Sequence, residues 1–219
     1  MKKSLVFTIG LIGSLAARGG TIINVSGPQP FGFSGQTNFV FGWNQTTSYS
    51  NVSGSMPLAD LTAGGPVGGV EGTIYFVNQI GPGTTAANQI VAPISISGLT
   101  GSFVSTPLFS GLTLGPGNYY LVLVPTGTTS GLTMSPQAAA PPVVVVGSGV
   151  TDLGAGIAGT VNAYPPASNV TLSAPNPLFV NVTGDAAAIP EPSALSMAAL
   201  GIAALMLWRS RRRTKQPQS

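Results

Sequence analysis

The chain has 219 residues, including 30 glycines and 19 prolines, and it contains no cysteine and no histidine. Nucleophilic sites of the Ser-His-Asp and Cys-His kinds, and ordinary zinc sites, therefore cannot be built from this chain alone. Residues 19–190 contain no lysine or arginine, and their only charged side chains are Asp60, Glu71, Asp152 and Asp185. Because this long middle part offers no cationic surface for phosphate backbones, we expect no nucleic-acid partner.

The N-terminus begins with lysines at positions 2 and 3, followed by a largely apolar run over residues 4–15 and by small residues. This order is typical of a secretory signal peptide. We predict a signal peptide over residues 1–16 with cleavage after Ala16, and cleavage after Ala17 fits nearly as well. An N-terminal anchor helix is the alternative, but such a short run rises only about 18 Å against a hydrocarbon core of about 30 Å.

The sequence of residues 17–184 predicts a single all-β domain. Short runs rich in valine, isoleucine, threonine, phenylalanine and tyrosine alternate with glycine, proline, asparagine and serine, which is typical of strands and turns. Regular spacing of these runs favours an antiparallel β-sandwich of immunoglobulin-like or jelly-roll type, and nothing in the pattern chooses between the two topologies. Strands are predicted at residues 37–43, 49–56, 72–77, 90–96, 108–114, 118–124, 142–146, 170–172 and 178–183.

Two of these strands carry finer predictions. Alternation along residues 49–56 places Tyr49 on the face opposite Val52 and Met56. The run of residues 118–124 is apolar almost throughout and is bounded by glycine and proline. Such a run predicts a central strand that is buried on both faces.

A pair of carboxylates about 5 to 9 Å apart can hydrolyse a glycosidic bond. Asp60 and Glu71 are the only acids of the domain that lie close in sequence, and residues 63–66 between them could form a turn that brings them together. Calcium needs six to eight oxygen ligands, whereas Asp152 and Asp185 each stand apart from other acids. We interpret Asp60 and Glu71 as solvated turn residues, and we predict no enzymatic activity, no catalytic residue, no metal site and no cofactor.

Residues 154–159 match the pattern G-x-G-x-x-G, which in dinucleotide-binding folds connects a strand directly to a helix. Here residues 147–153 separate the pattern from the preceding apolar run, and prolines at 165 and 166 prevent a following helix. We interpret the segment as a glycine-rich loop.

Six aromatic side chains could stack on sugar rings in an exported protein. Their alternating positions in predicted strands favour packing in the core for most of them, with the first and the last the least certain. They are Trp43, Tyr49, Tyr75, Tyr119, Tyr120 and Tyr164.

The C-terminus has three parts in a fixed order after a short linker at residues 185–189. Pro190, Glu191, Pro192 and Ser193 come first, the apolar residues 194–208 follow, and a basic cluster ends the segment at Arg209, Arg211, Arg212 and Arg213. The apolar run predicts a transmembrane helix, extended by the long arginine side chains. Basic residues on one side predict that residues 214–219 form a cytoplasmic tail and that the preceding domain is translocated.

This order resembles the PEP-CTERM sorting signal of Gram-negative and related bacteria. The resemblance implies that the membrane protease exosortase recognises Pro190, Glu191 and Pro192 and cuts near them. Residues 194–208 would then be a temporary anchor, and the arginine cluster would stop transfer. The tail would be a substrate and not an enzyme, and the protein would be released or re-anchored after cleavage.

A second resemblance lies within the domain and covers about 80 residues. It includes Trp43 and residues 72–76 and 112–114. Its hallmarks are the YSNV sequence at residues 49–52, the IGPGTTAAN sequence at residues 80–88, and the sequence L-x-x-G-x-Y-Y-L at residues 114–121. These segments resemble an ectodomain type common among PEP-CTERM proteins, which implies a β-rich surface domain without a known reaction. Gly54 departs from that pattern, since a further β-branched apolar residue is expected there.

We therefore predict an exported bacterial protein that passes transiently through the inner membrane to the cell surface or the extracellular matrix. Its predicted role is structural or adhesive, with exosortase as processing partner and exopolysaccharide as a ligand. One alternative is a secreted glycan hydrolase that uses Asp60 and Glu71. Another is a single-pass membrane protein that keeps its tail.

Overall fold

The computed structural model describes residues 19–27, 38–60, 70–99, 102–125, 132–134, 142–158, 170–173 and 178–187. The chain divides into two units, Met1–Ala187 and Ala188–Ser219, and all described residues belong to the first. The predicted signal peptide with Ala16, the sorting motif, the transmembrane helix at 194–208, the arginine cluster and the tail at 214–219 lie outside the described residues. In the described part of the chain, no helix is long and apolar enough to span a membrane.

The described residues form strands and one short 3-10 helix at Ala86–Asn88. The strands are β1 (Gly20–Ser26), β2 (Asn38–Gln45), β3 (Tyr49–Asp60), β4 (Val70–Val77), β5 (Ile94–Ser97), β6 (Val104–Leu114), β7 (Gly117–Pro125), β8 (Leu132–Met134), β9 (Val143–Val146), β10 (Val150–Ala158) and β11 (Val180–Ala186). The all-β prediction is therefore confirmed for this domain. The last strand extends two residues past the domain boundary predicted at 184.

The strands form two antiparallel sheets that pack as a sandwich. One sheet has the order β6-β3-β11-β1-β9, with β8 beside the end of β3, and the other has the order β10-β2-β7-β4-β5. Eight of these strands, β1 to β7 and β11, follow the order 1-11-3-6 in one sheet and 2-7-4-5 in the other. This is the strand order of a jelly roll, made of two Greek keys. Strands β9 and β10 widen the two sheets along the same side, next to β1 and β2.

Aromatic rings from both sheets fill the core between them. Trp43 of β2 has no exposed surface and lies 5.7 Å from Phe76 of β4 and 5.6 Å from Tyr119 of β7, measured between ring centroids. Phe76 in turn stacks on Phe109 of β6, in the opposite sheet, at 4.5 Å and with only 5° between the ring planes. The two sheets are thus joined through stacked rings, which are favoured at such separations.

Strand β7 is buried on both faces, as its apolar run predicts. Leu121 and Leu123 lie in the core between the sheets, whereas Val122 belongs to a second apolar cluster on the outer face of the five-stranded sheet. Residues 170–173 cover this outer cluster through Leu172. Residues 170–172 were predicted as a strand, and that prediction is wrong because only Ser173 pairs, in an isolated bridge to Ala155.

The G-x-G-x-x-G segment begins inside strand β10 and is not a loop, which corrects our interpretation. Residues 154–158 pair with β2. Gly154 has a φ of 87° at a bulge, a conformation that favours glycine, and its N–H donates to the Asp152 side chain at 2.8 Å. A Cβ on Gly156 would lie 2.3 Å from the carbonyl oxygen of Thr171. These glycines therefore allow a bulge and a close approach of the covering segment.

Tyr49 lies in the core, on the same side of the sheet as Val52 and Met56. The prediction that it lies on the opposite face is therefore wrong. Strand β3 has one extra residue relative to both neighbouring strands. It lies between Tyr49 and Val52 against β6, and between Ser50 and Ser53 against β11. Asn51 in this bulge has a φ of 51°. A bulge of one residue reverses the facing of side chains on one side of it. Tyr49 is consequently only 3% exposed, and its hydroxyl donates to the Ser148 carbonyl at 2.9 Å.

Candidate functional site

The two acids proposed for hydrolysis lie on different sheets. Asp60 is the last residue of β3, in the six-stranded sheet. Glu71 is the second residue of β4, in the five-stranded sheet. The turn at residues 63–66 lies outside the described residues. The described backbone therefore offers no observation that favours a hydrolytic pair.

The other acids of the domain are engaged by the domain itself. The Asp152 carboxylate accepts the Gly154 N–H, and the Asp185 carboxylate accepts the Asn51 side-chain amide at 2.7 Å. Among the described residues, no group of three or more histidine, cysteine, aspartate or glutamate side chains lies close enough to hold a metal ion. Both carboxylates thus accept a hydrogen bond at a bulge: Asp152 within β10, and Asp185 from Asn51 in the bulge of β3.

The aromatic side chains considered for sugar stacking are placed by the structure mainly in the interior. Trp43 has no exposed surface, Tyr49 is 3% exposed and Tyr119 is 7% exposed. Tyr75 and Tyr120 pack half-buried against the outer cluster of the five-stranded sheet. Burial raises the pKa of Tyr49, Tyr119 and Tyr120 above that of an ordinary tyrosine. The prediction that most of these rings are structural is thus confirmed, and Tyr164 lies outside the described residues.

A cleft of about 500 Å³ lies at one end of the sandwich, where the chain leaves β4 and enters β7. We call it the amide cleft, after the side chains of Asn78, Gln79, Asn88 and Asn118 that line it. Strands β4 and β7 are neighbours, and Val77 at the end of β4 pairs with Tyr120. Asn78 and Gln79 therefore leave the sheet beside the start of β7, which brings the amide groups together.

The first wall of the cleft is the segment after β4, which is held in shape by Asn88. The side-chain nitrogen of Asn88 donates to the side-chain oxygens of Asn78, at 3.0 Å, and Gln79, at 3.2 Å. Its side-chain oxygen accepts the Thr85 backbone N–H at 2.8 Å. The buried Thr84 hydroxyl donates to the Gly81 carbonyl at 2.7 Å and closes the turn. Asn88 thus holds two other amide side chains through two hydrogen bonds and is itself fixed by a third, from the Thr85 N–H.

The second wall consists of the turn between β6 and β7, with Pro116, and the start of β7, with Asn118. The buried Gln45 side chain donates to the carbonyl oxygens of Leu114, at 3.3 Å, and Gly115, at 2.9 Å. Gln45 in turn accepts the indole N–H of Trp43 at 3.1 Å, so the turn is tied to the aromatic core. A buried amide whose groups are all paired is both stable and rigid.

Asn118 is oriented from the neighbouring strand. The Asn44 side-chain nitrogen donates to the Asn118 side-chain oxygen at 2.8 Å. Within the described residues, no hydrogen bond occupies the side-chain nitrogens of Asn78, Gln79 and Asn118, and all three residues are exposed. Each of these groups therefore presents an N–H₂ donor to solvent while its oxygen is held by the protein.

The described residues that line the amide cleft carry no charge. Ile90 and Pro116 add apolar surface, and Tyr119 contributes only the small exposed part of its ring. A charged ligand such as a phosphate would find no cationic partner among these side chains. A neutral polar ligand has a much smaller desolvation cost when it enters the cleft. The arrangement suits a ligand with several hydroxyl groups and some apolar surface.

None of the amide side chains was singled out from the sequence as a site. Two of the three sequence segments in the ectodomain resemblance nevertheless meet here, since residues 80–88 shape the first wall and residues 114–121 include the second. The sequence shows polar residues in those two segments, but it does not show that the two loops are neighbours in the fold.

The family model of the PEP-CTERM protein-sorting motif matches residues 188–213, which confirms the resemblance at the C-terminus. Proteins with this motif are exported, processed by exosortase and sorted to the cell envelope or surface. The match covers the tail alone and leaves the β domain unassigned. No curated protein matches the chain.

Proposed function

We propose that this protein is a non-enzymatic surface or extracellular-matrix protein whose jelly-roll domain associates with exopolysaccharide. The observation that carries the proposal is the sorting motif at residues 188–213, which follows a domain almost without charge. The motif implies sorting to the cell envelope or surface, where we expect the domain to meet extracellular polymer. A structural or adhesive role there suits a packed domain with few charges, and residues 19–187 contain four charged side chains and a continuous apolar core.

The proposed path to the surface uses both ends of the chain. The signal peptide is removed after Ala16, and residues 194–208 hold the protein in the inner membrane while Arg209, Arg211, Arg212 and Arg213 stay in the cytoplasm. Exosortase then recognises Pro190, Glu191, Pro192 and Ser193 and cuts near them. The mature protein would carry the jelly-roll domain alone, released or re-anchored.

The neutral surface of the domain supports contact with polysaccharide. Exposed amide and hydroxyl side chains, such as those of Asn118, Ser95 and Thr151, carry no charge. Such groups bind hydroxyl groups through neutral hydrogen bonds, which salt screens far less than it screens exposed charges. We therefore expect binding to the polymer of the producing organism to be nearly unchanged by added NaCl.

Intact mass spectrometry of the protein recovered from its own host tests the processing. We expect loss of about 16 N-terminal residues, together with loss of everything after the residues near Pro192. A matched variant with Pro190→Ala, Glu191→Gln and Pro192→Ala should keep its C-terminal segment and remain in the membrane fraction. A wild-type protein that keeps this segment in every fraction is a plain single-pass membrane protein, and the sorting proposal is then wrong.

Retention of the mature protein on purified host polymer tests the association. We expect retention that is similar at low salt and at 0.5 M NaCl. If retention falls steeply with salt, charges carry the binding and the neutral mechanism is wrong. Turnover of the polymer by wild type that disappears in the variant Asp60→Asn with Glu71→Gln would replace the adhesive role with the hydrolase.

A further inference from the structure

We propose that the amide cleft is a binding site for neutral saccharides, with the side-chain N–H₂ groups of Asn78, Gln79 and Asn118 as hydrogen-bond donors to sugar hydroxyl groups. This inference rests on the proposed function for the source of the ligand, namely extracellular polysaccharide. Its chemistry rests on the cleft alone. The cleft volume of about 500 Å³ lies within the range of about 300 to 1,000 Å³ that is common for small-ligand sites.

The donors of the cleft are preorganised. Asn88 holds the oxygens of Asn78 and Gln79, and Asn44 holds the oxygen of Asn118. Because the oxygen and nitrogen belong to one planar amide group, holding the oxygen also fixes the direction of the nitrogen. A ligand that accepts these N–H groups does not have to order three loose side chains, which reduces the entropic cost of binding.

The donors come from two separate walls, so a ligand must bridge them. Asn78 and Gln79 follow β4, whereas Asn118 is the second residue of β7. A saccharide carries hydroxyl groups on several sides of each ring and can accept from both walls at once. Its C–H surfaces can contact Ile90 and Pro116, which lie in the same cleft.

The absence of charge selects among ligands. No acidic or basic side chain lines the cleft in the part of the chain that the structure describes. An acidic sugar would transfer its carboxylate from water to neutral amides with no cationic partner. We therefore expect neutral saccharides to bind and uronic-acid oligomers to bind much more weakly.

The site differs from sites that stack a sugar on an aromatic face. Tyr119 is the aromatic residue among the described residues lining the cleft, and its ring is 7% exposed with its hydroxyl donating to the Gly115 carbonyl at 2.8 Å. Hydrogen bonds must therefore supply most of the selectivity. Each neutral hydrogen bond contributes about 0.5 to 1.5 kcal/mol, so loss of one donor should weaken binding about 2- to 10-fold.

Side-chain amide resonances test the site directly. The mature protein, labelled with ¹⁵N in its own host, is titrated with neutral hexamers of glucose, mannose and galactose, with the host polymer, and with a galacturonic-acid hexamer. We expect saturable shifts of the Asn78, Gln79 and Asn118 side-chain resonances with at least one neutral probe, and none with the acidic hexamer. Equal shifts with the acidic hexamer, or shifts with no neutral probe, overturn the proposal.

Isosteric variants provide the second readout. Asn78→Asp and Asn118→Asp keep the oxygen that accepts from Asn88 or Asn44 and remove the free donor. Asn181→Asp, on the outer face of the six-stranded sheet, makes the same charge change at an exposed asparagine and is the matched control. We expect the two cleft variants to bind the neutral probe at least 3-fold more weakly and the control to bind within 2-fold of wild type.

The outcomes separate this inference from the proposed function. If both cleft variants and the control variant are retained on host polymer as strongly as wild type, the cleft is not the binding site, and the adhesive role stands. Specific shifts in the cleft with a neutral hexamer, in a protein that keeps its C-terminal segment in every fraction, would support the site while the sorting proposal fails. Equal weakening by the control variant would assign the effect to net charge and overturn the cleft.

Discussion

Replacement of Gly54 by alanine should destabilise the domain, although glycine is a poor residue in the middle of a strand. A Cβ on Gly54 would lie 2.4, 2.7 and 2.9 Å from three ring atoms of Phe109 on the paired strand β6. Ordinary contacts of this kind begin at about 3.4 Å. The Phe109 ring covers the glycine and lies where a side chain would be.

The Phe109 ring also stacks on Phe76 at 4.5 Å, so a shift of the ring away from Gly54 would weaken that contact. Overpacking of a filled core costs about 1 to 3 kcal/mol. The change from glycine to alanine also restricts the unfolded chain, which offsets about 0.4 to 1 kcal/mol of this cost. We therefore expect Gly54→Ala to lower the free energy of unfolding by about 1 to 2 kcal/mol, and Gly54→Val to lower it further.

Urea unfolding of the purified mature protein, followed by tryptophan fluorescence, measures the effect. Gly115→Ala is the matched control, because a Cβ there meets nothing within 4 Å and its φ lies outside the region that favours glycine. The double variant Gly54→Ala with Phe109→Leu should cost less than the sum of the single changes, since the smaller side chain vacates the contested space. If Gly54→Ala is as stable as Gly115→Ala, the packing argument is wrong.

Three further changes have defined outcomes. Gln45→Met should lower the free energy of unfolding by about 2 to 4 kcal/mol in urea, because the indole N–H of Trp43 and two turn carbonyls lose a buried partner. Gly156→Ala should also destabilise, since its Cβ would meet the backbone of Thr171, and ANS binding should rise as the outer cluster is uncovered. A raised folded-state pKa of Tyr49 and Tyr119 means that the unfolded state releases those protons first, so stability should be full below the ordinary tyrosine pKa and should fall as pH rises above it. Urea midpoints from pH 8 to pH 11.5 check this, and the variant with both tyrosines changed to phenylalanine should show a shallower fall.

The structure explains the departure of Gly54 from the ectodomain resemblance. The resemblance predicts a β-branched apolar residue at this position, which is buried in the fold. The core space above Gly54 is instead filled by Phe109 from the neighbouring strand. One sequence does not reveal which of two paired positions supplies the bulk, since the pairing itself is a tertiary property.

Strand predictions succeeded where side-chain alternation is regular and failed where a bulge interrupts it. The apolar run around Leu121 and Val122 predicted the doubly buried strand β7 correctly. Strand β1 was not predicted, and its register shifts between Thr21 and Ile23, so that Ile22 and Ile23 are both fully buried. A bulge breaks the period of two on which strand prediction depends.

Strand β10 was missed for a different reason. Its sequence contains two glycines, Gly154 and Gly156, which disfavour strands in isolation. In the fold they are needed, because one forms a bulge and the other lets the backbone at Thr171 approach. Tertiary packing therefore overrides local propensity at this strand, and the resulting pattern is easily taken for a loop.

The amide cleft could not be predicted from the sequence, although every residue in it was visible there. Asn78 and Asn118 are 40 positions apart, and they become neighbours only because the jelly-roll order places β4 beside β7. Asparagine and glutamine are common in loops for reasons of turn geometry and solubility, so an amide in a loop does not by itself indicate a site. The distinguishing feature is that Asn88 and Asn44 hold the oxygens and leave the nitrogens directed outward. Residues 19–187 contain no lysine or arginine to act as charged donors. We therefore place the ligand at these fixed neutral donors and not on the flat outer sheet.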